Sequence, residues 1–132
     1  GKMTFEKNLR LAERLNSKNP FALFTSRGHI FTARRALSLF TPVAAEDVFP
    51  YYNRGASWKE LQSIRIPIVV IFGSRDECLD RPATQLIEIF RTHAPLAKTF
   101  SGIIIKGADH GFKKKERELT QAIIWWIKRA VV

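Results

Sequence analysis

The stretch Ile66-Pro67-Ile68-Val69-Val70-Ile71-Phe72-Gly73-Ser74-Arg75-Asp76 decides the fold. Its middle is continuous, β-branched and uncharged, as expected of a strand covered on both faces. Proline at the first position costs no essential ladder bond. A second run of the same kind, Gly102-Ile103-Ile104-Ile105-Lys106-Gly107-Ala108-Asp109-His110-Gly111-Phe112, also passes from apolar strand to a glycine-bearing loop with an ionisable residue. One helix-length stretch separates them, so parallel strands over about 67–72 and 100–106 are expected, joined by a right-handed crossover. Asp76 and His110 then leave the sheet at the same edge.

Outward from this pair the pattern is helical. Asp80 and Pro82 set up a helix start, with Leu86, Ile87, Ile89 and Phe90 facing inward to about His93. A last helix from about Lys115 to Ala130 carries the clearest amphipathic stripe, Leu119, Ala122, Ile123, Trp126, Ile127 and Ala130. Upstream, Thr4 is placed to cap a helix over 5–17 with Phe5, Leu9, Ala12 and Leu15 on one face. Asn19-Pro20 ends it, because the residue before proline is pushed out of the helical region. Residues 21–31 read as a short hairpin or an extended loop. Thr32 is placed to cap a helix over 33–40, stopped by Thr41-Pro42, and residues 44–48 suggest a further helical turn. Residues 49–55 read as surface loop. Ser57-Trp58-Lys59-Glu60 fits a capping box opening a short helix to about Ile64. The expected organisation is α/β: a β-α-β-α unit over 65–132, preceded by a helical, loop-rich segment over 1–64, in one domain of 132 residues.

Composition excludes several classes. A hydrophobic fraction of 45% with 26% charged residues is that of an ordinary globular protein. No apolar run approaches the ~20 residues that span a bilayer. No basic, apolar, small-residue series at the start reads as a signal peptide. The single cysteine, Cys78, cannot form an internal disulfide, which suits a reducing compartment and a cytoplasmic location. The net charge of +10 comes from 22 Lys+Arg against 12 Asp+Glu. These basic residues are scattered and do not interleave with aromatics, so a nucleic-acid groove is not expected.

At the carboxyl ends of parallel strands, where open α/β sheets bind ligands, Asp76 and His110 have the residue types of an acid–base pair. An aspartate can hold the histidine tautomer while the other ring nitrogen takes a proton from a nucleophile. Asp76 alone also fits a turn or a helix cap. Glu77, Asp80 and Asp109 compete for the acid role, with Asp80 better suited to a cap and Asp109 to its own turn. His29 and His93 lack metal-ligand spacing with Cys78 or a carboxylate cluster, so no metal and no cofactor is expected. Cys78 reads as a loop thiol, since no general base is close in sequence. A nucleophile elbow needs a strand, a sharp turn with small neighbours, and a helix. Ser17, Ser38, Ser57, Ser63, Ser74 and Ser101 lack that context. Ser26, in Phe24-Thr25-Ser26-Arg27-Gly28, is nearest, but Phe24 stands where a small residue is needed.

The two strand-to-loop stretches, with the closing Ile123-Ile124-Trp125-Trp126-Ile127 helix, resemble the C-terminal part of an α/β-hydrolase. The resemblance covers roughly residues 60–132; residues 31–40 are similar, with less specific motifs, to the cap or inter-strand insertion of small esterase-like members. It implies an α/β-hydrolase sheet with Asp76 as triad acid and His110 as general base. The implied function is serine-dependent hydrolysis of a carboxylic ester or related acyl substrate. The family's early strands, oxyanion-hole loop and serine elbow precede this region, so the chain is expected to be the C-terminal half of a larger protein. It is expected to be inactive alone and to pair with a complementary half or a second copy. Phe21, Phe24, Phe31, Phe40, Tyr51 and Tyr52 suggest an apolar acyl or alcohol group. The alternative is a non-catalytic interaction module that binds a protein partner or an anionic surface.

Overall fold

A computed structural model describes residues 2–26, 28–41, 47–51, 53 and 55–130. The expected side-chain roles of Thr4 and Phe5, the helical turn at 44–46 and Tyr52 lie outside what it describes. The chain forms two compact units, Gly1–Pro50 and Tyr51–Val132. Among the described residues no helix is long and apolar enough to cross a membrane.

The first unit runs α1 (Lys2–Asn16), β1 (Leu23–Ser26), β2 (His29–Thr32) and α2 (Ala33–Phe40). Helix α1 starts ahead of the expected position, so Thr4 lies inside it rather than at its N-cap. Lys2 and Met3 are good helix formers, and nothing in them stops the helix from extending upstream. Of the two readings of residues 21–31, the hairpin is the one adopted: β1 and β2 pair antiparallel, from Leu23↔Thr32 to Ser26↔His29. Gly28 provides the turn with φ +79°, a conformation that side chains with a Cβ rarely adopt. Buried Ala12, Ala33 and Ala36 mark the core of this unit.

The Thr32 cap forms as its sequence context predicts. Its backbone is extended and its side chain accepts from the Arg35 amide at 3.2 Å. That bond satisfies one of the free donors of the first turn. Thr32→Ala is therefore expected to cost about 1 kcal/mol of stability, measurable by urea titration of the full chain, with Thr32→Ser losing much less.

The second unit runs α3 (Lys59–Gln62), β3 (Ile68–Gly73), α4 (Ala83–Thr92), β4 (Phe100–Ile105) and α5 (Glu116–Ala130). Strands β3 and β4 are parallel, in register from Ile68↔Phe100 to Gly73↔Ile105. The unit takes in residues 51–64, which the sequence pattern grouped with the upstream half. The reason is Trp58: it is buried with Leu61, Phe90 and Ala94, edge-to-face with Phe90 at 5.4 Å and stacked on His93 at 4.3 Å. The same anchoring displaces the expected capping box. Trp58 itself occupies the N-cap of α3, and no side-chain cap bond forms.

Helix α4 buries Leu86, Ile87 and Phe90 as its pattern predicts, with Pro82 at its N-cap. It sits hard against β4, where a Cβ on Gly102 would fall 2.2 Å from Ile87 Cγ2. Strand β3 is only partly buried along most of its length, not covered on both faces. Among the described residues it pairs with β4 alone, so its other edge is unpaired. Helix α5 departs from its pattern in the same way. Leu119, Ala122, Trp126 and Ala130 are half-buried, whereas Ile123 and Ile127 are exposed, together with Ile124 and Trp125.

Candidate acid–base site

The two loops that leave β3 and β4 are stapled to each other before either candidate side chain is reached. Ser74 N donates to Ile105 O at 3.0 Å and Arg75 N to Ala108 O at 2.9 Å. Gly107 N donates to Ser74 Oγ at 2.8 Å. Gly73 is what lets the backbones come so close: a Cβ there would stand 2.3 Å from Ala108 O and 2.8 Å from Asp109 O. Gly107, at φ +75°, turns the second loop back toward the first.

This staple brings Asp76 and His110 together. The His110 Nδ1 donates to Asp76 Oδ1 at 3.0 Å, with Oδ2 at 3.2 Å. An ionised carboxylate only accepts, so this contact assigns the ring proton to Nδ1 and leaves Nε2 as an acceptor. The Asp76 side chain is 4% exposed and the His110 side chain 61%. The acid is thus held from beneath while the ring faces outward. Asp76 also serves its own turn, because Oδ1 accepts from the Cys78 amide at 2.9 Å. Its turn role and its contact with histidine coexist on one carboxylate.

The rival carboxylates are engaged elsewhere. Glu77 accepts from the backbone amide of His110, at 3.1 Å, rather than from the ring. Asp80 is in a two-point pair with Arg81 at 2.8 and 2.7 Å. Hydrogen bonding to Arg81 holds the Asp80 carboxyl below its usual range; the pair is exposed and contributes little stability. Asp109 caps its own turn through the Lys113 amide at 2.9 Å. Burial first, then the charge of Asp80, pushes the Tyr51 phenol above its ordinary value. Asp76 and Cys78 add to that shift, which sets Tyr51 within electrostatic reach of the site.

Among the described residues, no hydroxyl is hydrogen-bonded to the His110 ring. Ser26 sits at the end of a hairpin strand, is 8% exposed, and its Oγ accepts from Asn8 Nδ2 at 2.8 Å. It has neither the strained backbone nor the following helix of an elbow. A cleft of about 570 Å³ is lined by Tyr51, Trp58, Arg81, Gln85, Glu88 and His93 among others, and neither Asp76 nor His110 lines it. His93 Nδ1 is bonded to Ile89 O at 2.8 Å, and its ring serves the core rather than a catalytic pair.

Cys78 is the residue whose surroundings the linear sequence misrepresents. No base is near it along the chain, yet its Sγ, a ring nitrogen of His110 and a carboxylate oxygen of Asp76 lie within 4.8 Å of one another. The signal was present in the two-residue step from Asp76 to Cys78, but only the β3–β4 pairing adds the imidazole. Comparisons with protein-family models, with curated proteins and with solved structures find no match to this chain.

Proposed function

We propose that Asp76 and His110 are the acid–base half of a serine hydrolase acting on a carboxylic ester or a related acyl group. The observation that carries this reading is the 3.0 Å contact from His110 Nδ1 to Asp76 Oδ1, at the carboxyl ends of neighbouring parallel strands. In this arrangement Asp76 orients the imidazole and stabilises the imidazolium. Nε2 takes the proton of a serine hydroxyl as it attacks the acyl carbon, then returns it to the leaving alcohol. In the second half-reaction the same nitrogen activates water against the acyl-enzyme. The serine comes from outside these residues, as does the oxyanion hole.

The incomplete sheet supports the same reading. A parallel pair with open edges is marginal by itself, and the exposed Ile123, Ile124, Trp125 and Ile127 of α5 are apolar surface that further structure would cover. On the α/β-hydrolase reading, β3 and β4 are the last strands of a larger sheet and the unit Gly1–Pro50 belongs to its cap.

The reading is tested with p-nitrophenyl acetate. The 132-residue chain alone is expected to hydrolyse it no faster than buffer. The longer gene product, if it carries a Gly-x-Ser-x-Gly after a hydrophobic strand, is expected to turn it over. Hydrolysis by the isolated chain that His110→Ala abolishes would require a nucleophile within it, with Ser26 and Cys78 as candidates, and would overturn the proposal. The same apolar face of α5 favours one other reading, a non-catalytic module that docks a partner protein. Partner binding unchanged by His110→Ala, in a gene product without esterase activity, would select it.

A further inference from the structure

We propose that Asp76, Cys78 and His110 form a binding site for a single Zn²⁺ ion. The three residues offer a carboxylate oxygen, a thiolate sulfur and an imidazole nitrogen, all within 4.8 Å of one another. Around a tetrahedral zinc, with bonds of about 2.0–2.3 Å, donor atoms stand roughly 3.3–3.8 Å apart. Closing the cluster onto an ion therefore needs each donor to move by about 1 Å or less.

The surroundings permit that movement in the right places. Asp76 is the fixed member, its side chain buried and its Oδ1 already tied to the Cys78 amide. That amide bond curls the chain so that the thiol stands over the carboxylate it follows by two residues. Cys78 and His110 are both exposed, so the thiol and ring can adjust without disturbing the core. The backbone beneath them does not have to shift, because Ser74, Arg75 and Gly107 hold the two loops together independently of these side chains.

Ligand chemistry selects the ion. A thiolate with one imidazole and one carboxylate suits a borderline cation such as Zn²⁺ and disfavours Mg²⁺ or Ca²⁺, which want oxygen donors. Three protein ligands leave a fourth position for water. Binding releases the thiol proton, moves the His110 ring proton from Nδ1 to Nε2, and replaces the Asp76–His110 hydrogen bond by two metal bonds. Zinc therefore competes with the acid–base role of His110. That consequence alone rests on the hydrolase reading; the binding itself does not.

The test uses the untagged 132-residue chain under reducing conditions. Isothermal titration with Zn²⁺ is expected to saturate at one ion per chain, with no response to Mg²⁺. Co²⁺ is expected to give a thiolate-to-cobalt charge-transfer band that Zn²⁺ displaces. Cys78→Ser should abolish the band, and Cys78→Ser, His110→Ala and Asp76→Asn should each weaken Zn²⁺ binding by at least about tenfold, since even residues behind the ligands carry 10–100-fold effects. Cys78 and His110 are exposed, so those two variants should keep the parent's circular dichroism and Tm. Absence of saturable 1:1 binding, or unchanged Zn²⁺ affinity in both Cys78→Ser and His110→Ala, overturns the proposal. All these readouts are independent of catalysis: loss of the hydrolase reading leaves them standing, and their failure leaves the hydrolase reading intact.

Discussion

On the proposed hydrolase reading, with the serine supplied from outside these residues, Asp76→Asn is expected to lower kcat for a p-nitrophenyl ester by about 10³–10⁴-fold with little change in KM. The side chain is nearly isosteric and already buried, so the loop geometry should survive. What changes is the partner of His110 Nδ1. A carboxylate can only accept there, whereas an amide can turn its NH₂ toward the ring and favour the tautomer with its proton on Nε2. That tautomer cannot take the proton of a hydroxyl. The fold should therefore melt normally while turnover collapses, and pre-steady-state kinetics should place the loss in acylation. Glu77→Gln is the control. Glu77 accepts from the backbone amide of His110 and not from its ring, so its replacement should cost far less, about tenfold at most. If Asp76→Asn kept more than a tenth of the parent kcat, the acid role would pass to another carboxylate or to none.

Gly73→Ala is expected to be the most destabilising single-methyl change in the second unit. The added Cβ would lie 2.3 Å from Ala108 O and 2.7 Å from Ala108 C. Those are backbone atoms held by the Arg75 amide and by full burial of Ala108, so no side chain can swing aside to relieve the clash. Forcing the loops apart breaks the staple and separates Asp76 from His110. A cost of about 3 kcal/mol or more is expected, which for a chain this size lowers Tm by roughly 10 °C or more. Gly55→Ala is the matched control, because its Cβ would meet only Asn53 Oδ1 at 3.7 Å. A Tm for Gly73→Ala within a few degrees of the parent would show that the loops are not held as closely as their geometry indicates.

The β-α-β framework was legible because its signals are local and repeated. Ile68–Gly73 and Phe100–Ile105 are apolar runs too short for separate helices, and Thr32 stands immediately before a helical stripe. Asp76 and His110 could be paired from the same pattern, since parallel strands joined by one helix must end at the same edge. Other features escaped because a distant residue decided them. The Ser57–Glu60 capping box fits its local sequence, yet Trp58 takes the N-cap as it inserts against Phe90 and His93. Burial of an indole outweighs a cap bond worth about 1 kcal/mol. The stripe of α5 is apolar as its pattern requires, yet Ile123 and Ile127 are exposed rather than packed, which the period alone does not decide.

By itself, then, the sequence determined the alternation of strands and helices, the parallel pairing and the edge at which chemistry could occur. Hydrophobic period and turn residues act over a few neighbours, and they are enough for that. The sequence favoured Asp76 but left Glu77, Asp80 and Asp109 as rivals, and only the tertiary structure showed what each of them bonds: the ring of His110, its backbone amide, Arg81 and the Lys113 amide in turn. It also decided the meaning of Cys78, a lone loop thiol along the chain and part of a three-donor cluster in space. The physical reason is the same in both cases: hydrogen bonds and metal ligands are chosen within a few ångströms, and residues 34 apart reach that range only when the sheet and its glycine staple have formed.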